Sequence, residues 1–307
     1  MSEAAVGPPR EAGRPALRCS FASQLRGDPP VGTAAPASAI LLVEQPGPWG
    51  RQALVESRLD PHVGAALSAR AVARGMRVLV IRRPGRSPDA AGRRRWAVVD
   101  CRPGREVTSW GEFGADADLM GLPLDGSAGT SSYRPTYLVC AHGRHDACCA
   151  IKGRPVGAAL AALRPEDAWE CSHVGGDRFA ANVLTLPHGL YYGRVDARTA
   201  GEVVASQERG EVLLNLLRGR TTFAPVAQAA QHRAREVLGE TGINALNPVS
   251  VSALDHRRWL VRLEHQPIDL VATVRTDAAG AAALLTCHAV HPAHPPAFVV
   301  EDLREAG

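Results

Sequence analysis

The residues of this chain best suited to chemistry are crowded into Cys140-Ala-His-Gly-Arg-His-Asp-Ala-Cys-Cys149 and Cys171-Ser-His-Val-Gly-Gly-Asp177. Cys140, Cys148, Cys149 and Cys171 fall there, out of seven cysteines in the chain, and Cys101 shortly precedes them. Thiolates and imidazoles are the soft and borderline donors that hold iron–sulfur clusters and zinc. The opening residues carry acids and prolines and no apolar core, so they do not read as a secretion signal. No window approaches the ~20 apolar residues of a membrane span. The expectation is a cytoplasmic protein with reduced thiols, in which clustered Cys and His mark a metal or redox site.

The elements that must position these residues can be read from the pattern around them. Thr136 to Cys140 is an apolar strand, so Cys140 stands at its end, and Cys149 opens the helical spacing that runs to Leu163. A helix N-terminus offers free amides and a positive dipole end, which stabilise a thiolate or a negatively charged cluster. Ala168 to Cys171 reads as the next strand, with His173 at its end. Gly175 and Gly176 let the backbone pass close to a bulky inorganic group without a Cβ clash. Cys140, Cys149 and His173 are thereby expected to converge at one end of a sheet. Cys148 and Cys149 are adjacent and point in different directions, so one of them is an ordinary packed thiol. Cys171 reads as core, His142 and His145 as neighbours of the site or solvent-facing, and Cys19, Cys101 and Cys287 as isolated thiols. Zinc has a local signature of closely spaced pairs. Cys140 is separated from Cys148 and Cys149 by seven and eight residues, a poor match, and no Cys-x-x-Cys is present.

Composition bounds the rest. The 307 residues are 45% hydrophobic and 5% aromatic, enough for a packed core filled largely by Ala, Val and Leu. A net charge of +4 is mild. The basic run Arg82-Arg83 and Arg93-Arg94-Arg95 reads as a solvated loop without aromatics to stack bases, so neither nucleic acid nor membrane is an expected partner. Residues 1–16 read as a disordered lead-in. Strands at 39–44, 77–81 and 96–100, with a helix opened by Asp60-Pro61, form a first α/β unit over 17–125. Gly121 to Pro135 is the candidate boundary. A second α/β unit over 133–240 repeats the order strand, helix, strand, hairpin, and ends in helices, including all of 211–239. That order is the thioredoxin-like arrangement. The fold class expected is α/β, with two thioredoxin-like units in tandem. A C-terminal antiparallel β meander over 245–300 follows, with strands at 249–252, 259–263, 270–274 and 283–287.

The Cys140–Cys149 segment, Cys171 to Asn182 and Leu186-Pro-His-Gly-Leu-Tyr-Tyr-Gly-Arg194 together resemble the sucrase/ferredoxin-like family. Arg18-Cys-Ser20, Gly32-Thr-Ala34, Glu44 to Gly50 and Ile81-Arg-Arg-Pro-Gly85 extend the likeness over roughly residues 17–220. The resemblance implies a thioredoxin-like domain binding a [2Fe–2S] cluster through two cysteines and two histidines. Carried over by motif, Cys140, Cys149 and His173 match three ligands, and Asp177 stands where the second histidine is found. A carboxylate is a harder donor for iron, so Cys148 and Cys171 are the alternates for the fourth place. The function expected is electron transfer or redox sensing with a redox protein partner. A scaffold with a vestigial metal site is the alternative. An electron carrier is favoured over an enzyme, and no carboxylate pair points to a sugar hydrolase.

Overall fold

The structure, a computed structural model, describes residues 17–85 and 92–307. The expected lead-in, 1–16, lies outside the described residues. Helix α1 (Cys19–Arg26) is followed by β1 (Ala39–Glu44), α2 (Pro61–Val72), β2 (Met76–Arg82), β3 (Arg94–Asp100), β4 (Val107–Phe113) and β5 (Thr130–Ser132). The start of α2 is written in its sequence. The Asp60 carboxylate accepts the backbone N–H groups of His62 and Val63 at 2.8 and 3.3 Å, and Pro61 gives up no needed donor. The next stretch holds β6 (Thr136–Cys140), α3 (Ala147–Leu163), β7 (Ala168–Cys171), β8 (Val183–Leu186), β9 (Leu190–Tyr192), α4 (Ala200–Glu208), β10 (Leu217–Arg220) and α5 (Pro225–Leu238).

Ten strands form one mixed sheet in the order β10-β9-β8-β6-β7-β2-β1-β3-β4-β5. Each half repeats one motif. β1 and β2 are parallel across α2, as β6 and β7 are across α3, and the third strand of each set lies antiparallel to the first. The halves join where β2 meets β7 antiparallel, Ile81 opposite Cys171. Strand alternation divides the core. Leu41 and Val43 pack with Val63 and Leu67 of α2, and Tyr137 and Val139 pack with Val156 and Leu160 of α3. Ile40, Leu42, Leu138 and Cys140 face a core common to both halves. The sheet curls around that core. Trp110 of β4 stacks on Trp169 of β7 with ring centroids 5.8 Å apart, and Arg77 of β2 donates to the Tyr191 hydroxyl of β9 at 2.9 Å.

A separate antiparallel sheet of β11 (Pro248–Ala253), β12 (Arg258–Leu263), β13 (Leu270–Ala278) and β14 (Pro296–Glu305) packs on α5. The meander is therefore present, but its last strand is not 283–287. β14 presents Phe298, Val300 and Leu303 to the α5 core, whereas Leu284 is exposed and Ala283 makes one isolated bridge to Ala293. Two further expectations are corrected. Residues 217–220 form a strand rather than helix, because Arg218 and Arg220 find buried polar partners beside β9. Of the arginines expected in a solvated loop, Arg93 is exposed just before β3, but Arg82, Arg83, Arg94 and Arg95 are half-buried against aromatic rings. Arg82 ends β2 over Trp49, Arg83 lies over Trp169, and Arg95, in β3, lies over Trp110. The stretch 121–135 contains β5, which pairs with β4 and continues the sheet. Among the described residues no helix is long and apolar enough to cross a membrane.

Candidate metal centre

β6 and β7 run parallel with Cys140 opposite Cys171, so the chain leaves both strands at the same sheet end. From β6 the loop 141–146 returns into α3, whose N-cap is Asp146. The Asp146 carboxylate accepts the Cys148 N–H at 2.8 Å. α3 lies unusually close to the end of β6. A Cβ on Gly153 would stand 2.1 Å from the Cys140 carbonyl oxygen, so only glycine permits the approach. That contact brings Cys149 back over Cys140.

The Sγ atoms of Cys140 and Cys149 and a ring nitrogen of His173 lie within 4.8 Å of one another. Asp177 closes the group, with its Oδ1 3.1 Å from the Cys149 thiol and 3.0 Å from His173 Nδ1. Both thiols are fully buried. Hydrogen bonds from the Cys149 thiol and His173, with the His142 amide, hold Cys140 well below the usual thiol range. The hydrogen bond with Cys140, burial, and the charges of Cys140 and Asp177 push Cys149 up. Burial opposes protonation of His173, but Asp177 and Cys140 outweigh it and raise His173 to about 9. Cys140, Cys149, His173 and Asp177 thus shift one another's proton affinity within one buried pocket.

The surroundings fix His173 from several sides. Arg77 donates to the His173 carbonyl at 3.0 Å, and the His173 N–H donates to His142 Nδ1 at 3.3 Å. His142 Nε2 in turn contacts the Gly50 carbonyl at 2.6 Å, so both ring nitrogens of His142 are occupied in positioning. His145 stacks on His173 with centroids 3.7 Å apart, and its ring joins His173 and Asp177 in a second possible ligand group. Gly175 and Gly176 take φ of 91° and 78°. What approaches Gly176 is the buried Arg218 guanidinium, which donates to the Gly175 carbonyl at 3.0 Å and to Asn182 at 2.7 Å. Burial lowers Arg218 to about 10.

The alternates lie elsewhere. Cys171 is core beside Cys140 and outside the converging ligand atoms. The Cys148 thiol faces away from Cys149, toward Cys19 and Cys287. The neighbourhood of Cys148 with Cys19 and Cys287 has no local sequence signal, so Cys19 and Cys287 read in the sequence as isolated thiols. Cys19 and Cys148 are 129 residues apart, and no local spacing encodes such a contact. Asp146 carried a signal, since an Asp immediately before a helical pattern marks an N-cap. Arg51, His142, His145, Ser172 and His173 help line an open cavity of about 230 Å³ above the centre.

A family model described as sucrase/ferredoxin-like matches residues 30–219. The match covers more than half of the chain and includes every residue of the centre, so the chain belongs to the sucrase/ferredoxin-like family. No curated protein and no solved structure matches it.

Proposed function

We propose that this chain is a thioredoxin-like ferredoxin that carries electrons through a [2Fe–2S] cluster held by Cys140, Cys149, His173 and Asp177. The observation that supports it most is the donor set itself: two buried thiols and an imidazole converging within 4.8 Å at one sheet end. A further point of fit is His173 Nδ1. It is buried without an aligned hydrogen-bond partner, although Asp177 is near enough for charge attraction. The order second-first-third-fourth strand, repeated in both halves, favours two thioredoxin-like units in tandem. A bound cluster of this kind accepts and returns single electrons, and imidazole in place of thiolate raises its potential. The residues supply the rest. His142 and Arg77 orient His173, and Gly153 and the Asp146 cap set Cys149 against Cys140. The exposed Arg51, Arg144 and Arg154 around the cavities over His142 suit a redox partner with an acidic face.

Ligands on two irons stand further apart than ligands on one. The tight 4.8 Å grouping therefore also favours a second reading, a single soft ion at the same residues. Anaerobic purification followed by iron and acid-labile sulfide analysis separates the two. The cluster reading expects two irons and two sulfides per chain, visible absorbance, and loss of all three in Cys140→Ser and Cys149→Ser. Metal without sulfide selects the single ion. A colourless, metal-free protein after reconstitution overturns both and leaves the scaffold.

A further inference from the structure

On the other side of the α3 N-terminus from Cys149, three thiols from distant parts of the chain meet. Cys19 Sγ is 3.6 Å from Cys148 Sγ, Cys148 Sγ is 3.4 Å from Cys287 Sγ, and Cys287 Sγ is 3.5 Å from Cys19 Sγ. The Asp146 carboxylate stands over this triangle, its oxygens 3.6 and 3.8 Å from Cys19 Sγ. We infer that Cys19, Cys148, Cys287 and Asp146 form a second metal site that binds one zinc-type ion in tetrahedral geometry.

The distances carry the inference. In a tetrahedral site with metal–sulfur bonds of ~2.3 Å, neighbouring sulfurs stand ~3.8 Å apart. The observed triangle is nearly equilateral and only slightly tighter. A disulfide requires ~2.0 Å between two sulfurs and would leave the third thiol without a role. Asp146 is fully buried and held in place from both ends. One oxygen accepts the Cys148 N–H at 2.8 Å, and the other accepts the Cys287 N–H at 2.7 Å. The Ser20 hydroxyl donates to Cys148 Sγ at 3.2 Å, the outer hydrogen bond that metal-bound thiolates commonly receive. The Cys148 thiolate also sits on the N-terminal turn of a 17-residue helix, where the dipole favours negative charge. Three sulfurs and one carboxylate in four-coordinate geometry select a zinc-type ion over hard cations. Cys287 is the exposed member, so an ion has a path in.

The ion would staple three segments: α1, the start of α3, and the connection between β13 and β14. Its failure is distinguishable from failure of the first centre, because Cys19 and Cys287 belong to this group alone and Cys140 to the other alone. The test is zinc and iron analysis of the full chain, as purified and after incubation with zinc ion alone. Wild type is expected to hold one zinc per chain. Cys19→Ser and Cys287→Ser lose it and keep their iron, whereas Cys140→Ser loses iron and keeps zinc. Asp146→Asn weakens zinc binding roughly tenfold or more. Cys287→Ser changes an exposed residue, so circular dichroism unchanged from wild type shows that the loss is not unfolding. Cobalt in place of zinc is expected to give thiolate-to-metal absorption that Cys287→Ser abolishes. Zinc below stoichiometry in wild type after incubation overturns the inference. So does equal zinc in Cys287→Ser, or a mass two hydrogens lighter that reports a Cys19–Cys148 disulfide.

Discussion

His173 is held through both its backbone and its ring. Its backbone is gripped by Arg77 and His142, its ring lies on His145, and its charge answers Asp177 and Cys140. In the metal-free protein its pKa is about 9, above the ~6.5 of an unfolded chain. The pair with Asp177 therefore contributes fully below about pH 6.5 and is lost as pH rises through 9, a contribution on the order of 1 kcal/mol. Thermal melts of iron-free wild type and His173→Gln across this range are expected to converge as pH rises. A gap that stays constant would show that His173 is not protonated at neutral pH. The convergence of Cys140, Cys149 and His173 was legible because each lies at an element end in one of two short motifs, whereas Asp177 was reached only through the family resemblance. Cys19 and Cys287 were not, because only the folded chain brings residues 268 positions apart together.

At the scale of elements, the contact that matters most is α3 on β6. Gly153→Ala would put a methyl group into the Cys140 carbonyl and force the helix outward. The expected result is a stability loss of about 1–3 kcal/mol by denaturant titration. Iron retention should also fall, because Cys149 rides on the helix that moves. Stability loss with full iron content would mean that the helix does not set the distance between the two thiols. The strands flanking the centre, β6 to β9, were readable as apolar runs between turn residues, and α2 from Asp60-Pro61. β10 was not, since Leu-Arg-Gly-Arg has no strand periodicity and its arginines are buried against partners supplied by distant segments. α1 was missed for a related reason: no side chain caps its start, and its buried face is Cys19, Ser20 and Ser23.

The molecule as a whole depends on the sheet curling until its far strands meet. Arg220 of β10 is buried and donates to Glu106, 2.5 Å away, next to β4, and to Asn244 at 2.9 Å. Burial acts to raise Glu106, but its backbone hydrogen bond and Arg220 hold it below the usual carboxylate range. The pair is therefore intact above the unfolded Glu value of ~4.3 and is lost as pH falls through the lower folded value. Glu106→Ala leaves a buried guanidinium short of its charge partner, and about 3 kcal/mol of stability should go with it. Urea unfolding at neutral pH measures this, and acid should narrow the difference between the two proteins. The curl could not be read in advance, because strand patterns specify faces and neighbours but not how far a ten-stranded sheet bends.

Cys148 and Cys149 sit in the first turn of α3 with their thiols in two different clusters. Successive residues of a helix project about 100° apart, and this angle alone aims one sulfur at each cluster. Helical phase thus makes the doublet intolerant of length change. An inserted or deleted residue between Asp146 and Gly153 would rotate both sulfurs away from their partners at once. The turn at 254–257, which contributes no residue to either cluster, can change length without altering the aim of either sulfur.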